Sequence, residues 1–246
     1  MTPPNPIDSL SFDVTGKHVL ITGGTGGIGT AFAEAFALKG AFVKVTDIKL
    51  PAREINHKNI RFEMLDVCDQ QAVEALAART ERLDVLIHCA GTLSPFKEHQ
   101  PAIFEKIVNI HLFGNMRLAT AFRPLLKQSQ GCIINIGSMY SYFGNGRVPA
   151  YAAAKTAVLS LTKSLAIAYA EDGIRVNAIA PGWIDTEISK GGQNDEEFNA
   201  TVMKRLPSQR WSPPIELAGT AVFLASPASR LITGVTIPVD GGYVAS

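Results

Sequence analysis

The sequence predicts an α/β fold, a single doubly wound parallel sheet of about seven strands with helices on both faces. Short runs rich in Val and Ile alternate with helix-period segments of ten residues or more, the pattern of right-handed β-α-β crossovers. The first apolar run leads straight into a glycine-dense turn, Thr-Gly-Gly-Thr-Gly-Gly-Ile-Gly at 22–29, where a helix opens. Asp47 closes the second run, 18 residues beyond Gly29.

Taken in order, residues 1–14 are Pro-rich and polar and read as a flexible or surface-draped arm, with 15–246 as one domain. Residues 17–22 read as a strand, 27–39 as a helix, 41–46 and 60–65 as strands, and 70–79 as a helix. A strand at 83–88 precedes a long helix at about 102–126, and the apolar run 133–136 is a short buried strand that releases Ser138 into a loop. An Ala-rich helix carrying Tyr151 follows, then a strand at 175–179 and a helical, loop-rich insertion at about 185–212. A helix at 214–225 and a strand at 235–239 complete the chain, and no repeat or linker divides it.

With 246 residues, 46% hydrophobic content and a formal net charge of +1, the chain carries no basic run of the kind that binds nucleic acid or anionic membranes. Its apolar stretches are too short or too broken to span a bilayer, and its start lacks a signal peptide's pattern, so a cytoplasmic protein is expected. Cys68, Cys89 and Cys132 are widely spaced, which argues against a disulfide framework or a CxxC metal site, and they read as small buried hydrophobes. The five histidines show no HExxH spacing, so no metal is expected.

The glycine turn suits a dinucleotide: glycines permit positive φ, and their amides can approach a pyrophosphate at a helix N-terminus. It parses as Gly24-x-Gly26-x-x-Gly29 or as Gly23-x-x-x-Gly27-x-Gly29. Asp47 would accept hydrogen bonds from the adenosine ribose and repel a 2′-phosphate, which favours NAD, although nearby Lys49 keeps NADP open. Tyr151 and Lys155 lie one helical turn apart. By itself that spacing is read first as an amphipathic helix with a snorkelling lysine. With Ser138 it gains a chemical meaning, because an ammonium about 4 Å from a phenol supplies about 4 kcal/mol at an effective dielectric of about 20, or about three pKa units before desolvation subtracts some.

The chain closely resembles the classical short-chain dehydrogenases/reductases from about residue 15 to its end. The resemblance rests on Thr22-Gly23-x-x-x-Gly27-Ile28-Gly29, Asp66-Val67, Ala90-Gly91, Ser138 thirteen residues before Tyr151, Tyr151-x-x-x-Lys155, Arg175-Val176-Asn177, Pro181-Gly182 and Asp240-Gly241-Gly242. It selects the second glycine parsing and implies a Rossmann-type fold. It further implies that Tyr151 exchanges a proton with the substrate oxygen, that Ser138 orients that oxygen, and that Lys155 depresses the Tyr151 pKa and holds the nicotinamide ribose. Gly23, Thr25, Gly27, Ile28, Gly29 and Asp47 would then hold the cofactor with Asp66 and Val67 at the adenine and Ala90 and Gly91 beside the ribose. Pro181, Gly182, Ile184 and Thr186 would cover the nicotinamide.

Two departures stand out. His111 occupies a position where the family usually has asparagine, three residues before Gly114, and is either a proton-relay member or a packed helix histidine. His88-Cys89-Ala90-Gly91 replaces the more usual Asn-Asn-Ala-Gly. Specificity is expected in the loops at 92–99, 139–147 and 183–211, with Ser138, Tyr140, Tyr151 and Trp183 at the substrate and polar Ser94, His99, Asn145, Arg147, Lys190 and Asn194 nearby. These imply an NAD-dependent oxidoreductase acting on a small hydroxylated substrate such as a sugar, sugar acid or polyol. The alternatives are an NADPH-dependent 3-ketoacyl-thioester reductase and a non-catalytic dinucleotide-binding protein. The family usually forms tetramers, so a homo-oligomer (tetramer or dimer) is expected, with Phe113, Leu118, Leu159 and Leu165 either as contact surface or packed equally well on the chain's own sheet.

Overall fold

The computed structural model describes residues 10–52 and 57–246. Seven strands form one parallel sheet: β1 (His18–Thr22), β2 (Phe42–Asp47), β3 (Ile60–Met64), β4 (Val85–His88), β5 (Cys132–Ile136), β6 (Arg175–Pro181) and β7 (Thr236–Val239). Their spatial order is β3-β2-β1-β4-β5-β6-β7. The chain winds outward in one direction from β1 and in the other from β4, so a crevice opens between the C-terminal ends of these two strands, the place where doubly wound sheets bind ligands. Thr22 pairs with His88 at that mouth.

Side-chain alternation builds the two layers. Val19, Ile21, Val85, Ile87 and Ile134 pack with Phe32 and Phe36 of α1 (Gly27–Leu38) and with Leu217 and Val222 of α8 (Ile215–Ala225). On the other face Leu20, Leu86 and Ile133 meet Leu76 of α2 (Gln70–Ala78), Phe122 of α4 (Gly114–Ser129) and Leu165 of α5 (Pro149–Ala168). β5 is buried at every position, as a central strand covered on both faces must be.

The expected long helix at 102–126 is longer and interrupted. It comprises α3 (Pro101–Val108), a π-helical turn (Asn109–Phe113) and α4, which continues to Ser129. The wider turn carries His111, and π-turns within α-helices frequently occur at functional sites. The insertion folds into a short α6 (Lys190–Gln193) and α7 (Glu196–Arg205), whose N-terminus is capped by Asp195 accepting from the Phe198 N–H.

Of the expected arm, residues 1–9 lie outside the described residues. Residues 11–14 are docked: Ser11 O accepts the Ala228 N–H at 3.0 Å, the Phe12 ring lies 5.9 Å from Phe223, and Val14 is buried. Cys132 is buried as expected, whereas Cys68 and Cys89 are only half-buried because they line the crevice at strand ends; all three are free thiols. Leu118 and Leu165 belong to the protein's own core and offer no contact surface, while Phe113 and Met116 remain exposed. Among the described residues no helix is long and apolar enough to cross a membrane, and no group of three or more His, Cys, Asp or Glu side chains is placed to hold a metal ion.

Candidate active site

The glycine turn is shaped by contact. Gly23 has φ +64, and a Cβ there would lie 2.5 Å from the Ala90 nitrogen. At Gly27 it would lie 2.7 Å from Thr186 Cγ2, and at Gly29 it would collide with the Gly23 carbonyl. Gly24 is crowded by the Val45 side chain, and Gly26 alone has room. The turn forms one wall of a crevice of about 1210 Å³, lined further by Asp47, Asp66, Val67, Ala90 and Gly91. A glycine cradle at a helix start, with a carboxylate at the next strand's end, fits a dinucleotide. Asp47 is fixed by Thr25, whose hydroxyl donates to Oδ2 at 2.5 Å, and by the Ile48 N–H on Oδ1 at 2.8 Å. Among the described residues it pairs with no lysine or arginine.

Ser138, Tyr151 and Lys155 are brought together where β5 meets α5. Ser138 caps the single 3₁₀ turn Met139–Ser141: its Oγ accepts the Tyr140 N–H at 3.1 Å, and Ser141 Oγ returns the favour to the Ser138 N–H at 3.2 Å. That reciprocal box holds the Ser138 hydroxyl in one place. Lys155 donates to Ile136 O at 2.6 Å, and its Nζ lies 5.5 Å from the centre of the Tyr151 ring.

The electrostatics differ from expectation. Burial pushes the Tyr151 phenol up to about 12; hydrogen bonding with Ser138 draws it back in part, and the charge of Glu98 raises it further. Burial pushes Lys155 down to about 8. In the protein alone, burial dominates at Tyr151 and the expected depression by Lys155 is not found; the ammonium is bonded to the strand-end carbonyl of Ile136.

His111 lies against the same site. Its ring meets Tyr151 edge-on with centroids 5.2 Å apart, and burial, followed by the Lys155 charge, holds its pKa well below the usual value. Nε2 stands 2.7 Å from Thr92 O and 3.1 Å from Thr92 N, while buried Nδ1 has no partner. The ring also occupies the space a Cβ on Gly91 would need, which explains a glycine there. His88, the first residue of the second departure, bridges β1 to the π-turn: Nδ1 is 2.7 Å from Thr22 Oγ1 and Nε2 is 3.2 Å from Ile110 O. Burial drives its pKa to about 3, so it is a neutral strut.

Glu98 was not legible in the sequence. Wholly buried, it accepts the Ser94 N–H on Oε1 and the Tyr151 N–H on Oε2, each at 2.9 Å. A single loop acid with no motif around it carried no signal.

A second cleft, of about 440 Å³, opens over Ser138 and Tyr151. Tyr140, Pro181, Gly182, Trp183, Ile184 and Thr186 line it, as do Met139, Asn145 and Arg147 from the expected loops. Trp183 anchors an aromatic roof, 5.0 Å from Trp211, 5.4 Å from Phe198 and 5.9 Å from Tyr140. Ser94, His99, Lys190 and Asn194 are not on the lining. The Ser94 amide serves Glu98, His99 Nε2 lies 2.9 Å from Gly146 O, and Lys190 pairs with Asp185 at 2.6 Å.

The family model described as enoyl-(acyl carrier protein) reductase matches residues 23–244. A 2-dehydro-3-deoxy-D-gluconate 5-dehydrogenase of Bacillus subtilis is 37% identical over 246 residues, covering 95% of this chain and 97% of the relative. A cis-4-hydroxycyclohexanecarboxylate dehydrogenase of Sinomonas cyclohexanicum is 36% identical, covering 93% and 97% respectively. A solved gluconate 5-dehydrogenase of Burkholderia cenocepacia, in complex with NADP and tartrate, superimposes with a TM-score of 0.89 at 32% identity, covering 97% of this chain and 99% of that one. A glycine cradle, a serine, tyrosine and lysine gathered beside it, and matches along almost the whole chain leave one conclusion: the chain belongs to the classical short-chain dehydrogenase/reductase family and is an oxidoreductase acting on secondary hydroxyl and keto groups.

Proposed function

We propose that this protein is an NAD-dependent dehydrogenase of small hydroxylated carboxylic acids, sugar acids foremost, interconverting a secondary alcohol and its ketone. The observation that carries the reading is the meeting of Ser138, Tyr151 and Lys155 at the base of a cleft beside the dinucleotide crevice. Ser138 Oγ, held by its capping box, hydrogen-bonds the substrate oxygen. Tyr151 Oη gives that oxygen a proton in ketone reduction and takes it back in alcohol oxidation. Lys155 holds positive charge beneath the ring and reaches the nicotinamide ribose. When bound, the nicotinamide supplies hydride acceptance or donation at C4, and the positive charge of its oxidised form would draw the raised phenol pKa back down.

Gly23, Thr25, Gly27, Ile28 and Gly29 would hold the pyrophosphate, Asp66 and Val67 the adenine, and Ala90 and Gly91 the ribose. Pro181, Gly182, Ile184 and Thr186 would cover the nicotinamide, and the Asp47 carboxylate at the end of β2 is the reason for preferring NAD. The neutral ring of His111, held at Thr92 through Nε2 alone, supports a packing role against Tyr151. The same reading is of a cytoplasmic homo-oligomer, with exposed Phe113 and Met116 as contact surface.

The test is a rate panel of D-gluconate and 5-keto-D-gluconate, neutral polyols and cyclic hydroxy acids, each with both cofactor pairs. Turnover of a hydroxy or keto acid with NAD(H) is expected. Turnover of neutral alcohols alone would overturn the substrate reading, and NADP(H) preferred tenfold would overturn the cofactor reading.

A further inference from the structure

Arg147 is the one charged side chain on the lining of the substrate cleft among the described residues. Its guanidinium carbon lies 4.8 Å from the centre of the Phe96 ring and 4.2 Å from that of Phe198. Phe96 belongs to the loop after β4 and Phe198 to α7, so the fork is braced by aromatic rings from two separate elements. The loop side of this brace is built under strain. Phe96 has φ +64, a conformation that non-glycine residues rarely adopt, and its N–H donates to Arg147 O at 2.7 Å.

Among the described residues Arg147 has one acidic partner, and it is weakly held. Nη2 is 3.4 Å from Asp195 Oδ2, with the two side chains 32% and 40% exposed. An exposed pair at that distance contributes little, and water and salt screen it. Asp195 has a second, shorter bond, because its Oδ1 accepts the Phe198 N–H at 3.1 Å and caps α7. The carboxylate can therefore yield the guanidinium and keep its own structural bond. A ligand carboxylate, by contrast, could take two parallel N–H···O bonds from a fork already oriented by its rings.

We propose that Arg147 selects the substrate by its carboxylate, which displaces Asp195 from the guanidinium when the acid binds. This rests on the sugar-acid reading and deepens it: the carboxylate sits at the Arg147 end of the cleft while the reacting carbon sits at Tyr151. An arginine four residues before the catalytic tyrosine, in the turn that leads into α5, keeps those two ends at a set separation and so chooses which hydroxyl along a sugar acid is presented.

Binding and turnover test it separately, with D-gluconate as the acid and D-sorbitol as its neutral counterpart. Arg147→Gln should lower the ratio of kcat/KM for gluconate over sorbitol at least thirtyfold, chiefly through KM for gluconate. Arg147→Lys should recover part of that ratio, since it keeps the charge without the fork. Asp195→Asn should lower KM for gluconate two- to fivefold and leave α7 capped by the amide oxygen. The ratio staying within threefold of the wild type in Arg147→Gln, or an Asp195→Asn KM that rises, would overturn the proposal. If the wild type oxidises no acid at all, the function reading fails, and the Arg147 inference is then judged by binding. Gluconate should raise the melting temperature of the wild type with NAD present, and Arg147→Gln should remove that rise; an equal rise in both proteins overturns it.

Discussion

Glu98 Oε2 accepts the backbone N–H of Tyr151 at 2.9 Å, across 53 residues of chain. Tyr151 is the third residue of α5, so its N–H has no partner within the helix, and a carboxylate also suits the positive end of the helix dipole. The other oxygen of Glu98 binds Ser94, tying the loop after β4 to the catalytic helix. Glu98→Ala strands two buried donors and should destabilise the fold by about 3 kcal/mol. Glu98→Gln should cost less and, by removing a negative charge that raises the Tyr151 pKa, should move the alkaline rise of alcohol oxidation to lower pH. Thermal denaturation and a pH-rate profile of the two variants read both effects; an unshifted profile in Glu98→Gln would show that the carboxylate charge does not reach the phenol.

Tyr151→Phe removes the proton carrier and leaves the ring that packs against His111 and Tyr140. Turnover should fall by a factor on the order of 10³ in both directions, with stability changed by less than about 1 kcal/mol. Following NADH absorbance alongside a melting curve separates the two; residual activity above a tenth of wild type would exclude Tyr151 as the proton carrier.

Because burial holds the phenol at about 12, the proton needed for ketone reduction is in place at neutral pH, whereas oxidation must first lose it. Oxidation should climb from pH 7 to 9.5 while reduction stays level or declines. An oxidation rate flat over that interval would mean that the phenolate is already formed.

Lys155 is held down at about 8 against an ordinary value of 10.5, so the folded state binds its proton less tightly than the unfolded state. Between these values the unfolded chain keeps the proton that the native state loses, and stability rises with pH; below about 8 the full burial cost is present. Lys155→Met should therefore abolish turnover and stabilise the fold at pH 7 by about 2 kcal/mol, the burial gain less the bond lost at Ile136 O. Urea denaturation at pH 7 and pH 10 checks this, and a variant less stable than the wild type at pH 7 contradicts it.

His111 fills the space beside Gly91, so Gly91→Ala should distort the crevice wall and weaken NADH binding at least tenfold. Adding His111→Asn, a shorter side chain, should restore much of that loss, a non-additivity expected only of residues in contact. Fluorescence titration with NADH measures it; additive losses would show that the two side chains do not compete for the space.

The sequence by itself determined the seven parallel strands, the glycine turn and the trio Ser138, Tyr151 and Lys155, because each is written in a local period or spacing. Backbone geometry repeats every 2 or 3.6 residues, so such signals survive without tertiary contacts. The π-turn at His111 was invisible, since a wider turn leaves the apolar period of its helix nearly unchanged. Tertiary structure alone decided that Glu98 rather than Ser94 or His99 would serve the site. It also decided that Lys155 would bond Ile136 O and that Arg147 would be the cation left in the cleft. Each outcome depends on which groups lose water together, and desolvation is a property of the packed assembly, summed over residues far apart in the chain.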